Sequence, residues 1–139
     1  MLGRILAIDP GGRRVGLALT DPLRIIASPY ETLLVENTDD AIEQIIGVIQ
    51  KEQVTELVVG MPLRPGEGLS EQAKRVKAFI EALRKRIAQP VHTVDESFSS
   101  VEAEESLHQM GKKVGQDKGA VDRIAAALIL KQYLKEIQP

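Results

Sequence analysis

Four acidic residues fall where the chain passes between apolar segments. Asp9 closes the short apolar run 5–8, Asp95 and Glu96 follow the run 91–94, and Asp122 opens the last long helical pattern. A carboxylate at such a place must be solvated, hydrogen-bonded or holding a cation, because an unpaired buried charge is very costly. An oxygen-only set without His or Cys suits Mg²⁺ or Mn²⁺. Two such ions about 4 Å apart can activate a water and stabilise the leaving oxygen of a phosphodiester. Each acid also has a plainer reading. Asp9 can cap a hairpin turn, Asp95–Glu96 can be an exposed loop pair, and Asp122 can offset a helix dipole, worth about 0.5 kcal/mol. Asp122 shares a helix face with Ala125, Ala126 and Ile129 by three-and-four spacing. Small residues on that face let the helix press against a sheet, directing the acid inward. The two histidines, His92 and His108, lack ligand spacing to each other and read as structural or surface residues.

These acids have to be positioned by a mixed α/β scaffold. Residues 5–8 and 15–19 read as two strands joined by Pro10-Gly11-Gly12, a sharp reversal. A third strand is expected over 25–30, continuing toward Leu34, with Pro29 placing it at a sheet edge. Asn37 or Thr38 can cap a helix whose buried stripe is Ile42, Ile45, Ile46 and Ile49. A buried strand over 56–60 ends at Gly60-Met61-Pro62 and leads into the loop 63–69. Ser70 caps the next helix, with Ala73, Val76, Ile80, Leu83 and Ile87 inward and Lys74, Arg75, Lys77, Arg84 and Lys85 on a solvated face. Pro90 ends that helix, a fifth strand spans 91–94, and Ser99 with Glu102 forms a capping box for a helix to about 110. A lysine-bearing loop over 111–119 precedes a last helix over 120–137. Three strands with connections too short for crossovers form an antiparallel meander, and the later strands join as right-handed parallel crossovers. The result is a ribonuclease-H-like fold: one five-stranded mixed sheet, three strands antiparallel and two parallel, flanked by helices.

At 139 residues the chain suits one domain spanning 1–139. Eighteen basic against twenty acidic residues give a net charge of −2, so bulk electrostatic attraction to nucleic acid is excluded and any basic surface must be local. Four aromatics leave too few rings for a stacking platform for single strands. With no cysteine, disulfides and thiolate metal sites are excluded. No apolar run reaches transmembrane length and no signal-like segment opens the chain, so the cytoplasm is expected, with no membrane partner.

With these residues in place the sequence resembles the YqgF (RuvX-like) family, pre-16S rRNA nucleases also described as Holliday-junction-resolvase-like. Four motifs carry the likeness in order. The first is Asp9, Gly11, Arg13, Arg14, Gly16 and Ala18, followed by Thr20-Asp21. The second is Gly60, Pro62 and Leu63, with Gln72-Ala73 opening the next helix. The third is Asp95-Glu96, and the fourth is Lys118, Gly119, Asp122, Ala125 and Ala126. The resemblance implies metal-dependent endonucleolytic cleavage of structured nucleic acid, with pre-rRNA favoured over branched DNA. It implies two ions of Mg²⁺ or Mn²⁺ held by Asp9, Glu96 and Asp122, with Asp95 assisting or orienting. Arg13, Arg14 and Lys118 would hold the phosphate backbone, a positioning role without sequence information. The chain departs from the pattern at Ser97, where the family carries Arg, and at Gly12, a common Thr. Its loop after the fourth strand reads Arg64-Pro65-Gly66-Glu67 in place of Asn-x-Asp-Gly, and Arg64 offers a replacement charge. Monomer and homodimer both remain open, since a resolvase acts as a two-fold dimer. Two other classes compete. A phosphotransferase also places Asp-x-Gly after a first strand, but needs a second domain to close over its nucleotide. A non-catalytic ribosome-assembly factor would bind RNA without needing a cation.

Overall fold

The structure is a computed structural model that describes residues 2–62, 68–96, 108–109 and 118–138. Nearly all of the helix expected over 99–110, the loop 111–117, Arg64 and Ser97 lie outside the described residues. His108 and Gln109 are helical and exposed. The other described elements are β1 (Arg4–Gly11), β2 (Arg14–Thr20), β3 (Ala27–Leu34), α1 (Thr38–Glu52), β4 (Val54–Met61), α2 (Glu71–Arg86), β5 (Val91–Asp95) and α3 (Lys118–Ile137). They form one sheet in the order β3-β2-β1-β4-β5. β1–β2 and β2–β3 are antiparallel, while β1–β4 and β4–β5 are parallel, the ribonuclease-H-like mixture expected.

β1 sits at the centre with helices on both faces, so its apolar run is continuous and not alternating. Leu6 and Ile8 pack with α1 and α2, in a core that includes Leu17, Ile45, Leu57, Val76 and Leu83. Ile5 and Ala7 face α3, with Ala18, Val58, Val94, Ala126, Ile129 and Leu130. The two-residue period carries Asp9 onto the α3 side and Pro10 onto the opposite side. α3 meets the sheet through Ala125, Ala126 and Ala127, all buried. Those small residues bring its backbone close, as their spacing predicts. Among the described residues no helix is long and apolar enough to cross a membrane.

Several boundaries differ from expectation. Asp9 pairs with Gly16 and Pro10 with Val15, so β1 runs on to Gly11 and the reversal rests on Gly12-Arg13 alone. Gly12 has φ 52°, the left-handed conformation that a two-residue hairpin demands. β3 starts at Ala27, not 25, because the Asp21 carboxylate accepts the N–H groups of Ile25 (2.8 Å) and Ile26 (2.7 Å). Those donors are thereby lost to a strand ladder, and both side chains stay exposed. β3 lies at the edge, as Pro29 requires, with a register shift opposite Leu17 and Ala18. α2 ends at Arg86, where Ile87 turns extended. α3 begins at Lys118, two residues early, which puts Asp122 beyond its first turn.

The caps follow the sequence. Asn37 Oδ1 accepts from Asp40 N (2.8 Å), and Ser70 Oγ accepts from Ala73 N (3.1 Å). The parallel crossovers place the N-termini of α1 and α2 at the edge of the sheet where β1, β4 and β5 end. The start of α3 reaches this edge too, since Asp122 lies against Gly16.

Candidate active site

Asp9 and Glu96 reach this edge on the α3 side from the ends of two parallel strands, and Asp122 descends on them from α3, whereas Asp95, paired with Met61, points by strand period to the α1/α2 side. The Asp9 and Glu96 carboxyl groups are hydrogen-bonded to each other. Two carboxylates can do this only by sharing a proton. Burial, then the neighbouring Asp9 charge, pushes the Glu96 carboxyl up to about 8. Burial also raises Asp9, against the hydrogen bond from Glu96 and with the help of the Asp122 charge. Asp122 is raised by burial, and the guanidinium groups of Arg14 and Arg123 pull it back.

Local backbone features aim each group. Glu96 N donates to Met61 O (2.7 Å), continuing the β4–β5 pairing one residue past the strand and turning the side chain over Gly60. A Cβ at Gly60 would stand 3.2 Å from Glu96 Oε2 and 2.5 Å from Ile129 Cδ1, so only glycine leaves that space. Gly16, the cross-strand partner of Asp9, plays the same part for Asp122: a Cβ there would lie 3.0 Å from Asp122 Cβ and overlap its carbonyl group. The sheet is therefore bare of side-chain bulk just where α3 delivers its acid.

The plainer readings of the acids do not hold. Asp9 bonds Glu96 and not a turn N–H. Asp122 lies outside the helix's first turn. Asp95 has a buried Oδ1 without a hydrogen-bond partner, and its carbonyl accepts from Gln132 Nε2 of α3 (3.2 Å).

Of the four cations read from the sequence, Arg14 joins the acid cluster. Its Nε lies 3.3 Å from Asp122 Oδ2, outside hydrogen-bond geometry, and its side chain is 44 % exposed. Arg13 is exposed at the tip of the β1–β2 turn. Lys118 opens α3, its side chain lying outside the described residues, as does all of Arg64. Sequence reasoning passed over Thr32, Arg123, Gln132 and the steric role of Gly16. Thr32 Oγ1 donates to Gly119 O and accepts from Arg123 Nη1 (3.2 Å), fastening the start of α3 to the edge strand. The Gly119 of the fourth motif was the available signal: a Cβ there would stand 3.0 Å from Thr32 Cβ. His92 is structural, stacked on Tyr133 with ring centroids 5.4 Å apart.

The donors fit a hard divalent cation. They are the carboxylate oxygens of Asp9, Glu96 and Asp122, and Asp122 Oδ2 is buried without a hydrogen-bond partner. Among the described residues no three acid or histidine side chains are grouped so that together they could hold a metal ion. Mg²⁺ does not require such a group, since it binds one or two carboxylates and takes its other ligands from water and substrate phosphate.

The RuvX family, described as Holliday junction resolvase, matches residues 3–136. The chain belongs to this family. A protein of Koribacter versatilis (strain Ellin345), named as a candidate pre-16S rRNA nuclease, is 41% identical over 133 residues, covering 96% of this chain and 87% of its own. One from Roseiflexus sp. (strain RS-1), with the same name, is 39% identical over 132 residues, covering 95% and 94%. Among solved structures, T. thermophilus RuvC in complex with Holliday junction substrate aligns with a TM-score of 0.58 at 17% identity, covering 97% of this chain and 96% of that one. The fowlpox virus resolvase with Holliday junction DNA aligns at 0.60 and 10% identity, covering 98% and 99%. Both show the same fold. The RuvX chain described here is thus a nuclease on a RuvC-like sheet.

Proposed function

We propose that the protein is a divalent-cation-dependent endonuclease that hydrolyses phosphodiester bonds in structured RNA, processing the 5′ end of pre-16S rRNA in the cytoplasm. Asp9, Glu96 and Asp122 hold the cations. When bound, a pair of Mg²⁺ or Mn²⁺ ions supplies an acidified water and charge neutralisation at the leaving oxygen. As a ligand Glu96 would be held in its ionised form beside Asp9. Asp122 is held toward Asp9 by the contact of α3 with Gly16 and balanced by Arg14. Arg13 at the hairpin tip, Arg14, Lys118 and Arg64 bind the phosphate backbone, aided by the helix N-termini at the same edge.

The observation that carries this reading is the convergence of Asp9, Glu96 and Asp122 at one edge of the sheet, with Asp122 against the cross-strand partner of Asp9 and Glu96 Oε2 over Gly60, a set of oxygen donors suited to a divalent cation. The relatives named as candidate pre-16S rRNA nucleases support the RNA substrate. The test is cleavage of an RNA spanning the 5′ end of 16S rRNA, with Mn²⁺ or Mg²⁺ and with EDTA, by the wild type, Asp9→Asn and Asp122→Asn. Cleavage is expected only for the wild type with cation. A variant that is folded by circular dichroism and cuts at the wild-type rate rules out this centre. A second reading, symmetric cutting of branched DNA by a two-fold dimer, is favoured by the family description. A four-way DNA junction in the same assay separates the two.

A further inference from the structure

On the opposite face of β1 from Asp9, the sheet edge opens into a pocket of about 280 Å³ between α1, α2 and the β1–β2 turn. The strand period that sends Asp9 toward α3 sends Pro10 into this pocket's wall, so the cavity begins one residue from the acid centre. Its floor is apolar: Val15, Val76 and Phe79. Its rim is polar and cationic, with Asn37, Gln72 and Arg75. Asn37 spends its oxygen on the α1 cap, which leaves its amide N–H groups as donors. Arg75 is exposed and makes no ion pair or hydrogen bond among the described residues. The N-terminal turns of α1 and α2 flank the mouth, adding a fixed positive field from backbone N–H groups. The volume lies just under the range of pockets for drug-sized ligands, about 300–1,000 Å³, and so suits one ring system and not a helix or a duplex groove.

We propose that this pocket takes one unpaired nucleotide next to the scissile phosphate, with its base on the Val15–Val76–Phe79 floor and its phosphate at Arg75. The inference rests on the nuclease reading and deepens it: the enzyme selects a cleavage point with an extruded or single-stranded nucleotide. A paired base cannot enter, since its partner strand would meet α1 or α2. The chemistry recognised, a base with its phosphate, is common to RNA and DNA.

The test measures binding by fluorescence anisotropy with Asp122→Asn protein, which keeps the substrate intact. The probes are labelled RNA duplexes identical except for one bulged nucleotide, and a DNA pair of the same design. Burying one base against apolar and aromatic side chains is worth about tenfold, so the bulged member of at least one pair should bind about tenfold tighter. Whichever pair shows the preference identifies the sugar. Gln72→Trp, which fills the mouth from an exposed position, and Arg75→Glu should bring the ratio near one. Lys77→Glu, the same charge change on α2 outside the pocket, should keep it. Equal affinities in both pairs, a ratio that survives Gln72→Trp, or one lost equally in Lys77→Glu overturns the proposal. Failure of the wild type to cut any probe with Mn²⁺ would strike the nuclease reading instead, and the binding ratio would still be read.

Discussion

Replacing Gly16 by alanine adds one methyl group at the point where α3 rests on the sheet. The new Cβ would lie 3.0 Å from Asp122 Cβ and overlap the Asp122 carbonyl. Unstrained carbon pairs sit about 3.5–4.0 Å apart and the Asp122 carbonyl is the nearest obstacle, so the start of α3 must retreat by about 1 Å or more. Helix backbone cannot swing aside as a side-chain tip does, so the cost is that of overpacking, about 1–3 kcal/mol. For a chain of this size that lowers Tm by about 3–10 °C. The functional loss should be larger than the stability loss. A catalytic group misplaced by about 1 Å can cost about a hundredfold in rate, and the retreat moves Asp122 directly away from Asp9. Gly16→Ala should therefore melt a few degrees early by differential scanning fluorimetry and cleave about a hundredfold more slowly at a temperature where it is fully folded. Gly47→Ala is the counterpart: its Cβ meets nothing within 4 Å in exposed α1, so it should add about 0.5–1 kcal/mol and leave cleavage unchanged. If Gly16→Ala keeps the wild-type Tm and rate, the close approach of α3 is not what positions the acid.

Other perturbations follow from the same geometry. Glu96 holds its proton to about 8 in the folded chain but releases it near 4.5 when unfolded, so the native state binds more protons across that window. In EDTA, stability should fall as pH rises from about 4.5 to 8, and Glu96→Gln should flatten the slope. Millimolar Mn²⁺ should restore the wild type's Tm at pH 8 but not that of Glu96→Gln, as read by thermal shift. Ile129 is fully buried and its Cδ1 fills the space over Gly60, so Ile129→Ala should cost about 2–5 kcal/mol in urea denaturation. Asp21 is held below the usual carboxylate range by the backbone N–H of Ile26 and its neighbours. Its contribution is present above the unfolded pKa and lost as pH falls through the folded one. Asp21→Asn should therefore lower Tm at neutral pH and weaken its acid dependence.

Much of the scaffold is legible in the sequence because it is written in local periodicity. The apolar run of β1, the isoleucine stripe of α1 and the caps Asn37 and Ser70 each state their own conformation. What periodicity cannot state is which side chain a backbone donor prefers. Ile25 and Ile26 have strand character, yet Asp21 takes their N–H groups and β3 starts later. The acids were readable because their types and places limit the chemistry, and the alanines beside Asp122 told which way it faces. The pairing of Arg14 with Asp122 was not readable, since an arginine beside a turn suits a phosphate equally well. Nor were Thr32 and Gln132, whose partners are distant in sequence and recognised only once α3 is seated.

The site needs Asp9 from the first strand and Asp122 from the final helix, and the α3-facing half of the core has no cover until that helix arrives. A nascent chain still lacking α3 therefore exposes Ile5, Ala7, Ala18 and Val58 and has an incomplete set of acids. The proposed centre cannot form, and the sheet stays half bare, until α3 has docked.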